Sequence, residues 1–257
     1  MSERLPELVA MSRFLGDPAH DLAILAEGNT SCNEEGSFWV KASGFSLNGI
    51  GPEGFVRCRP EPLLESFGTS PTDAAVSELL LSCRSGDGQK PSVEAFMHAW
   101  LLTLPGVEFV GHVHPTAILA LLCSAGAEGL CSMRFFPDDV VCCGVATAWV
   151  PYVDPGLFLA EAIKESVTNF GRVHGEPPKV IWMQNHGMIA LGRTANEVKS
   201  AIMMNVKVAR VVQMAGGLGA VEKGSLTPLS AETVERIHSR PDEHYRQELL
   251  WKLGAGD

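Results

Sequence analysis

"GHVHP", residues 111–115, lies between the apolar runs "VEFV" (107–110) and "TAILALL" (116–122). The alternation in "EFVGHVH" (108–114) predicts a strand. Side chains at i and i+2 of a strand point to one face, so His112 and His114 would present two imidazoles side by side. Pro115 ends the strand right after the second imidazole: it has no N–H for a ladder, and its fixed φ suits the start of a helix. A strand leading into a helix makes the chain mixed α/β. The spacing itself fits two readings, a pair of metal ligands or two polar residues at a strand end.

The same alternation of elements continues on both sides. Strands are expected in "SFWVKAS" (37–43), "CCGVATAWVPYV" (142–153) and "KVIWMQNHGMIALG" (179–192), the last as two strands flanking a turn at Asn185, His186 and Gly187. Several helices signal their own ends. Ser70 as N-cap and Pro71 at the first position open "PTDAAVSELLLSCRS" (71–85). Asp154 and Pro155 do the same for "PGLFLAEAIKESVTNF" (155–170), with Gly171 as the stop. Thr194 and Glu197 form a capping box for "ANEVKSAIMMNVKVARVVQMA" (195–215), closed by Gly216 and Gly217. In "KPSVEAFMHAWLLTL" (90–104), apolar residues at 93, 96, 97, 100 and 101 have a helical period and Ser92 can cap the start. Helices and strands interspersed in this way predict a sheet covered by helices.

With 257 residues, 46% of them hydrophobic, the chain can bury a sizeable core. It shows no internal repeat, low-complexity tract or linker, so residues 1–257 are expected to form a single domain. The net charge of -10 and the absence of any Lys/Arg run remove the footprint needed to bind nucleic acid, while a few local donors could still hold an anionic small molecule. No apolar stretch approaches the about 18 residues that span a membrane, and "MSERLPELVAMSRF" does not read as a signal peptide, so a cytoplasmic protein is expected. The seven cysteines (32, 58, 83, 123, 131, 142 and 143) include no CxxC pair and are expected to be reduced thiols, mostly buried.

Two further groups could join the histidine pair. His186 sits in the turn between two apolar strands, where Gly187 would permit an unusual backbone conformation. Glu94 lies near a helix start, with His98 one turn later on the same face. Three imidazoles and a carboxylate suit Zn²⁺ or a neighbouring divalent cation, and an open position would make such a site catalytic. His98 reads as structural, packed beside Trp100 or donating a hydrogen bond, and His20, His174 and His238 read as exposed. "EGNTS" (27–31) and "KASG" (41–44) can offer backbone N–H groups and hydroxyls to a phosphate, or can be turns before strands. "AGGLGA" (215–220) follows a long helix and opens no βα unit, so it reads as a helix stop.

In order, "EGNTS", "VKASG", "KPSVEAFMHAWL", "GHVHP", "VPYVDPG" and "MQNHGMIALGRTANEV" resemble the class II sugar aldolase and adducin-head superfamily, over about residues 20–214. Within it the wording is most similar to the aldolase half of bifunctional rhamnulose-phosphate aldolase/dehydrogenase-type proteins. The resemblance implies a three-layer α/β/α sandwich around a mostly antiparallel sheet. It implies a homotetramer with active sites between subunits, and Zn²⁺ (or Mn²⁺ or Co²⁺) on His112, His114 and His186. Glu94 would be the acid/base, ligating the metal in the empty site and leaving it when substrate arrives. The chemistry is coherent: retro-aldol cleavage of a ketose needs a Lewis acid to stabilise the enediolate and a carboxylate to move its proton. The phosphate-holding positions fall on Asn29, Ser43, Gly44 and Ser92.

The chain departs from the family pattern in places. Val93 stands where many phosphate-ketose aldolases have a second serine, and Lys41 could restore charge beside the same cradle. The tyrosine that protonates the leaving aldehyde in some members has no clear counterpart; Tyr152 reads as packed at a strand end, and Tyr245 is the other tyrosine. A pentulose-phosphate 4-epimerase or a sugar-acid decarboxylase would use the same metal site. A non-catalytic assembly module, as in adducin heads, would have no use for these three histidines and the glutamate.

Overall fold

The computed structural model describes residues 4–217 and 226–241. Its strands are β1 (Asn29–Glu34), β2 (Ser37–Lys41), β3 (Phe55–Cys58), β4 (Phe109–Val113), β5 (Ala148–Val150), β6 (Val180–Met183) and β7 (Gly187–Gly192). They form one sheet in the order β3-β2-β1-β4-β7-β6-β5, antiparallel throughout except for the parallel β5–β6 pair. The helices are α1 (Leu5–Leu15), α2 (Glu61–Leu64), α3 (Asp73–Ser82), α4 (Ala95–Leu101), α5 (Thr116–Leu122), α6 (Ala127–Leu130), α7 (Pro137–Cys143), α8 (Leu157–His174), α9 (Ala195–Gly217) and α10 (Ala231–His238).

Both faces of the sheet are covered, which gives the three-layer α/β/α architecture. Alternation along each strand divides its side chains between two cores. Phe109, Val113, Met188 and Ala190 pack with Leu8 of α1, Ile118 of α5 and Ile202 of α9. Val110, Ile189 and Leu191 pack with Phe96 of α4 and Ile163 of α8. Every residue of β7 is buried, so it reads in sequence as a continuous apolar run. No helix among the described residues is long and apolar enough to cross a membrane.

β1 is central yet reads as polar, "NTSCNE". It was not among the expected strands because each of its polar side chains is satisfied only by the tertiary structure. Thr30 meets Ser12 of α1 at 2.6 Å and Ser31 meets His98 of α4 at 2.6 Å. The first helix and β3 were also outside the sequence reading.

Several element ends differ from expectation, each for a local reason. The cap of α3 is Thr72, whose hydroxyl accepts from the Ala75 N–H at 3.3 Å, so Ser70 and Pro71 lie before the helix. The helix ends at Ser82 because Arg84 is drawn into a bridge with Cys58. α8 begins after Gly156 rather than at Pro155 and runs through Gly171 to Gly175, which takes the left-handed conformation at φ 79. Glu94 occupies the cap position of α4, while Ser92 still accepts from the Glu94 N–H at 3.3 Å. The Glu197 N–H donates to Thr194 Oγ1 as a capping box requires, but the Glu197 carboxylate reaches back to the Arg193 N–H.

Pro115 is extended and the helix starts at Thr116, one residue later than expected. Cys142 and Cys143 belong to α7, opened by Pro137 with Asp138 and Asp139 in its first turn, and only Ala148–Val150 of the expected run is a strand. The seven cysteines are free thiols, five of them buried. His174 is exposed, but His20 and His238 are half-buried, held by the Phe14 carbonyl at 2.8 Å and by Glu176 at 3.1 Å.

The relocated cap gives a paired expectation. Thr72→Ala should lower unfolding free energy by about 1 kcal/mol in chemical denaturation, whereas Ser70→Ala should leave it unchanged; equal effects would contradict the assignment of Thr72 as the cap.

Candidate metal centre and substrate cavity

Strand pairing brings the candidate ligands together. β4 lies between β1 and β7, with Asn29 opposite His112 on one side and Ile189 opposite His112 on the other. The β6–β7 hairpin turns at residues 184–186 and sets His186 against the end of β4. The turn's unusual conformation belongs to Asn185, at φ 52, and not to Gly187. Gly187 answers a different need: a Cβ there would lie 2.6 Å from the His114 ring and 2.7 Å from the Val113 carbonyl oxygen. The absent side chain lets the hairpin approach the imidazoles.

His112 is fully buried, and His114 and His186 are half-buried. Their ring centroids are 4.7, 5.0 and 5.2 Å apart, and one nitrogen from each lies within 4.8 Å of the others. His112 Nδ1 donates to the Met188 carbonyl at 3.0 Å, which leaves Nε2 as the lone-pair nitrogen. That Nε2 lies 2.9 Å from His114 Nε2. Glu94 completes the cluster, with Oε1 3.2 Å from His186 Nε2 and Oε2 3.5 Å from His112 Nε2. The buried Glu94 Oε1 has no hydrogen-bond donor of good geometry.

Burial pushes His112 down to about 3 and lowers His114 as well, the latter also repelled by His186, so both present neutral nitrogen lone pairs at pH 7. Burial would raise Glu94, but the facing imidazoles of His112 and His186 and the Asn29 amide outweigh it and hold the carboxyl well below its usual range. Converging lone pairs and an under-satisfied carboxylate oxygen are what a divalent cation would satisfy, and the N₃O donor set fits the metal expected from the sequence.

A chain of buried hydrogen bonds fixes Glu94. Asn29 Nδ2 donates to Glu94 Oε2 at 2.6 Å, and Asn29 Oδ1 accepts from His98 Nε2 at 2.5 Å. His98 Nδ1 then accepts from the Ser31 hydroxyl at 2.6 Å. Burial pushes His98 down to about 4, so it stays neutral and orients Asn29. His98 is therefore structural as expected, with Asn29 and Ser31 as its partners.

A cavity of about 450 Å³ opens over this cluster, walled by Asn29, Lys41, Ser43, Gly44 and Ser92 as well as Glu94. The "KASG" and "KPSVE" segments meet there by short strand-like pairing: Ala42 bridges Pro91, the Ser43 N–H donates to the Lys90 carbonyl at 2.9 Å, and the Ser92 N–H to the Lys41 carbonyl at 3.1 Å. Lys41 Nζ donates to the Ala26 carbonyl at 3.1 Å and to the Phe45 carbonyl. Burial pushes its pKa down to about 8, against the pull of Glu94, so it remains mostly charged at neutral pH. Asn29 is less open to an anion than expected, because its amide is engaged by Glu94, Ser92 and His98.

Three cavity residues escaped the sequence reading. Lys90 arrives on an exposed loop and Asp73 at the first turn of α3, and no local pattern encodes their approach to the cavity. Glu27 was legible as part of "EGNTS", but its partner His114, at 3.2 Å, is 87 residues away. Val93 is on the wall as well, 39% exposed. Tyr152 is not packed as expected: it is 53% exposed and its hydroxyl donates to Asp154 at 2.9 Å. Tyr245 lies outside the described residues. A larger, mainly apolar groove of about 630 Å³ beside α7 and α9 contains none of the clustered histidines.

Known structures share this architecture. The N-terminal class II aldolase domain of a Thermoplasma acidophilum protein is 25% identical, with a TM-score of 0.64 over 83% of this chain and 95% of that one. YgbL from Klebsiella pneumoniae, described as a candidate aldolase/epimerase/decarboxylase, is 20% identical at a TM-score of 0.68, over 92% of this chain and 99% of its own. L-Fuculose-1-phosphate aldolase from Thermus thermophilus is 19% identical at a TM-score of 0.60, over 84% and 98%. No curated protein matches the sequence. The family of class II aldolase and adducin N-terminal domains matches residues 6–213, which include all the clustered histidines and Glu94, and the chain belongs to that family.

Proposed function

We propose that this protein is a metal-dependent class II sugar aldolase that cleaves a phosphorylated ketose by retro-aldol chemistry. The whole chain would act as one catalytic domain, in the cytoplasm. The observation that carries the reading is the clustering of His112, His114 and His186 beside an ionised Glu94, which meets His112 and His186 Nε2, at a cavity. A non-catalytic assembly module has no need to bury an anion among three imidazoles.

His112, His114 and His186 would hold Zn²⁺, or Mn²⁺ or Co²⁺, which supplies Lewis-acid stabilisation of negative charge developing on the ketone oxygen. Glu94 is ionised and held by Asn29, so it can take and return the proton at the reacting carbon. The Lys41 ammonium and the Ser43, Gly44 and Ser92 segment line the same cavity and suit the substrate's phosphate. Val93 removes one hydroxyl from that cradle, which favours keeping a second reading. An epimerase or decarboxylase of a related sugar acid would use the same centre with a carboxylate in place of the phosphate. The chain would assemble as the homotetramer expected from the resemblance, with the site between subunits, where exposed Val93 and Phe158 could be covered.

Protein purified without chelators should carry about one divalent transition metal per chain by elemental analysis; an intact site with no affinity for Zn²⁺, Mn²⁺ or Co²⁺ would sink the reading. Dihydroxyacetone phosphate, dihydroxyacetone and pyruvate, tested as donors against small aldehydes with each metal added, should give a condensation product with the phosphorylated donor. Decarboxylation of a 3-oxo acid with no condensation would instead select the second reading. Glu94→Gln should lower turnover by about 10²–10⁴-fold while metal content is largely kept, and unchanged turnover would remove Glu94 from the chemistry.

A further inference from the structure

The three imidazoles of the centre differ in what holds their outer nitrogen. His112 Nδ1 is held by a backbone carbonyl, that of Met188. His186 Nδ1 is buried with no hydrogen-bond partner. His114 Nδ1 lies 3.2 Å from Glu27 Oε2, a carboxylate outside the inferred ligand set. A carboxylate accepts and never donates when ionised, so the proton of a neutral His114 belongs on Nδ1 and the lone pair on Nε2. That is the nitrogen facing His112 Nε2 at 2.9 Å.

Glu27 is itself fixed before any ligand arrives. Its backbone N–H donates to the Ile24 carbonyl at 3.1 Å, and its Oε1 accepts from the Ile24 N–H at 2.7 Å, so residues 24–27 close on themselves by a reciprocal pair. The next residue, Gly28, is left-handed at φ 68, and a Cβ on it would lie 2.8 Å from the His112 carbonyl oxygen. Only glycine lets this loop lie so close to β4. The His114 N–H meanwhile donates to the Leu22 carbonyl at 2.9 Å. One loop thus grips His114 twice, by its backbone and by its outer ring nitrogen.

We propose that Glu27 is a positioning residue for His114: its carboxylate accepts the Nδ1 proton, sets the tautomer and ring orientation, and aims Nε2 at the shared point between His112 and His186. The proposal rests on the reading that these imidazoles hold a divalent cation. Because Glu27 Oε1 also accepts from the N–H of exposed Ile24, that segment is linked through one side chain to the His114 ring.

Two readouts on metal-free protein test this. In ¹⁵N-detected imidazole NMR, wild type should show His114 protonated at Nδ1, Glu27→Gln should keep that form because its amide oxygen still accepts, and Glu27→Ala should shift it toward Nε2–H. Titration with Co²⁺ against a competing chelator should show affinity about 10–100-fold weaker for Glu27→Ala, a changed visible absorption spectrum, and most of the loss restored in Glu27→Gln. A thermal melt establishes that each variant is folded, and the Gln variant carries the test if the Ala variant is not: an Nε2–H form of His114 in folded Glu27→Gln or in wild type overturns the proposal. Equal Co²⁺ affinity in wild type and folded Glu27→Ala also overturns it while leaving the metal reading intact. Absence of Co²⁺ binding to wild type would overturn the metal reading, and the NMR result would still decide the hydrogen bond.

Discussion

The placement of β4 between β1 and β7 is the constraint on which the rest of the site depends. A strand shifted by one residue would turn His112 from the α4 side of the sheet into the opposite core, because side chains alternate with period two. The register is held on both sides, by Asn29 opposite His112 and by Ile189 opposite His112. Large apolar residues flanking the imidazole, Val110 in one core and Phe109 and Val113 in the other, make any slip costly. The same pairing carries Asn29 and the β6–β7 turn to the end of β4, so one ladder assembles the histidines and the group that orients Glu94.

That assembly has an electrostatic cost. Removing a carboxylate from water costs on the order of several kcal/mol even after relaxation. Glu94 recovers part of this from the Asn29 amide, which His98 and Ser31 hold in turn, but its Oε1 stays under-satisfied. The neutral rings of His112 and His114, their Nε2 atoms 2.9 Å apart, add lone-pair repulsion that a cation would reverse. A divalent cation held by these groups would satisfy the open Glu94 oxygen, between the two cores that flank the sheet.

The cavity above the cluster combines apolar and charged surface. Val93 puts an apolar surface beside Glu94, while Lys41 and Lys90 bring ammonium groups to the wall. Lys41 is held by two carbonyls and so presents a fixed charge, whereas Lys90 is exposed and bonded to Ser77 at 3.0 Å.

Local sequence determined a good deal. The period of "EFVGHVH" made a strand with both imidazoles on one side, the apolar runs made β6 and β7, and the resemblance to class II aldolases named the histidines and Glu94 that the fold then placed together. Element ends were less legible: several residues can cap a helix, and contacts such as the Cys58 bridge to Arg84 choose among them. β1 was invisible because most of its polar side chains gain partners from segments distant in sequence, such as Ser12 and His98, and Glu27 carried no meaning until a loop brought it to His114. Sequence by itself determined the periodicities and the chemical types, which are properties of neighbouring residues. Tertiary structure alone decided which distant groups share a hydrogen bond, because the free energy of such a bond depends on burial and distance that no local pattern specifies.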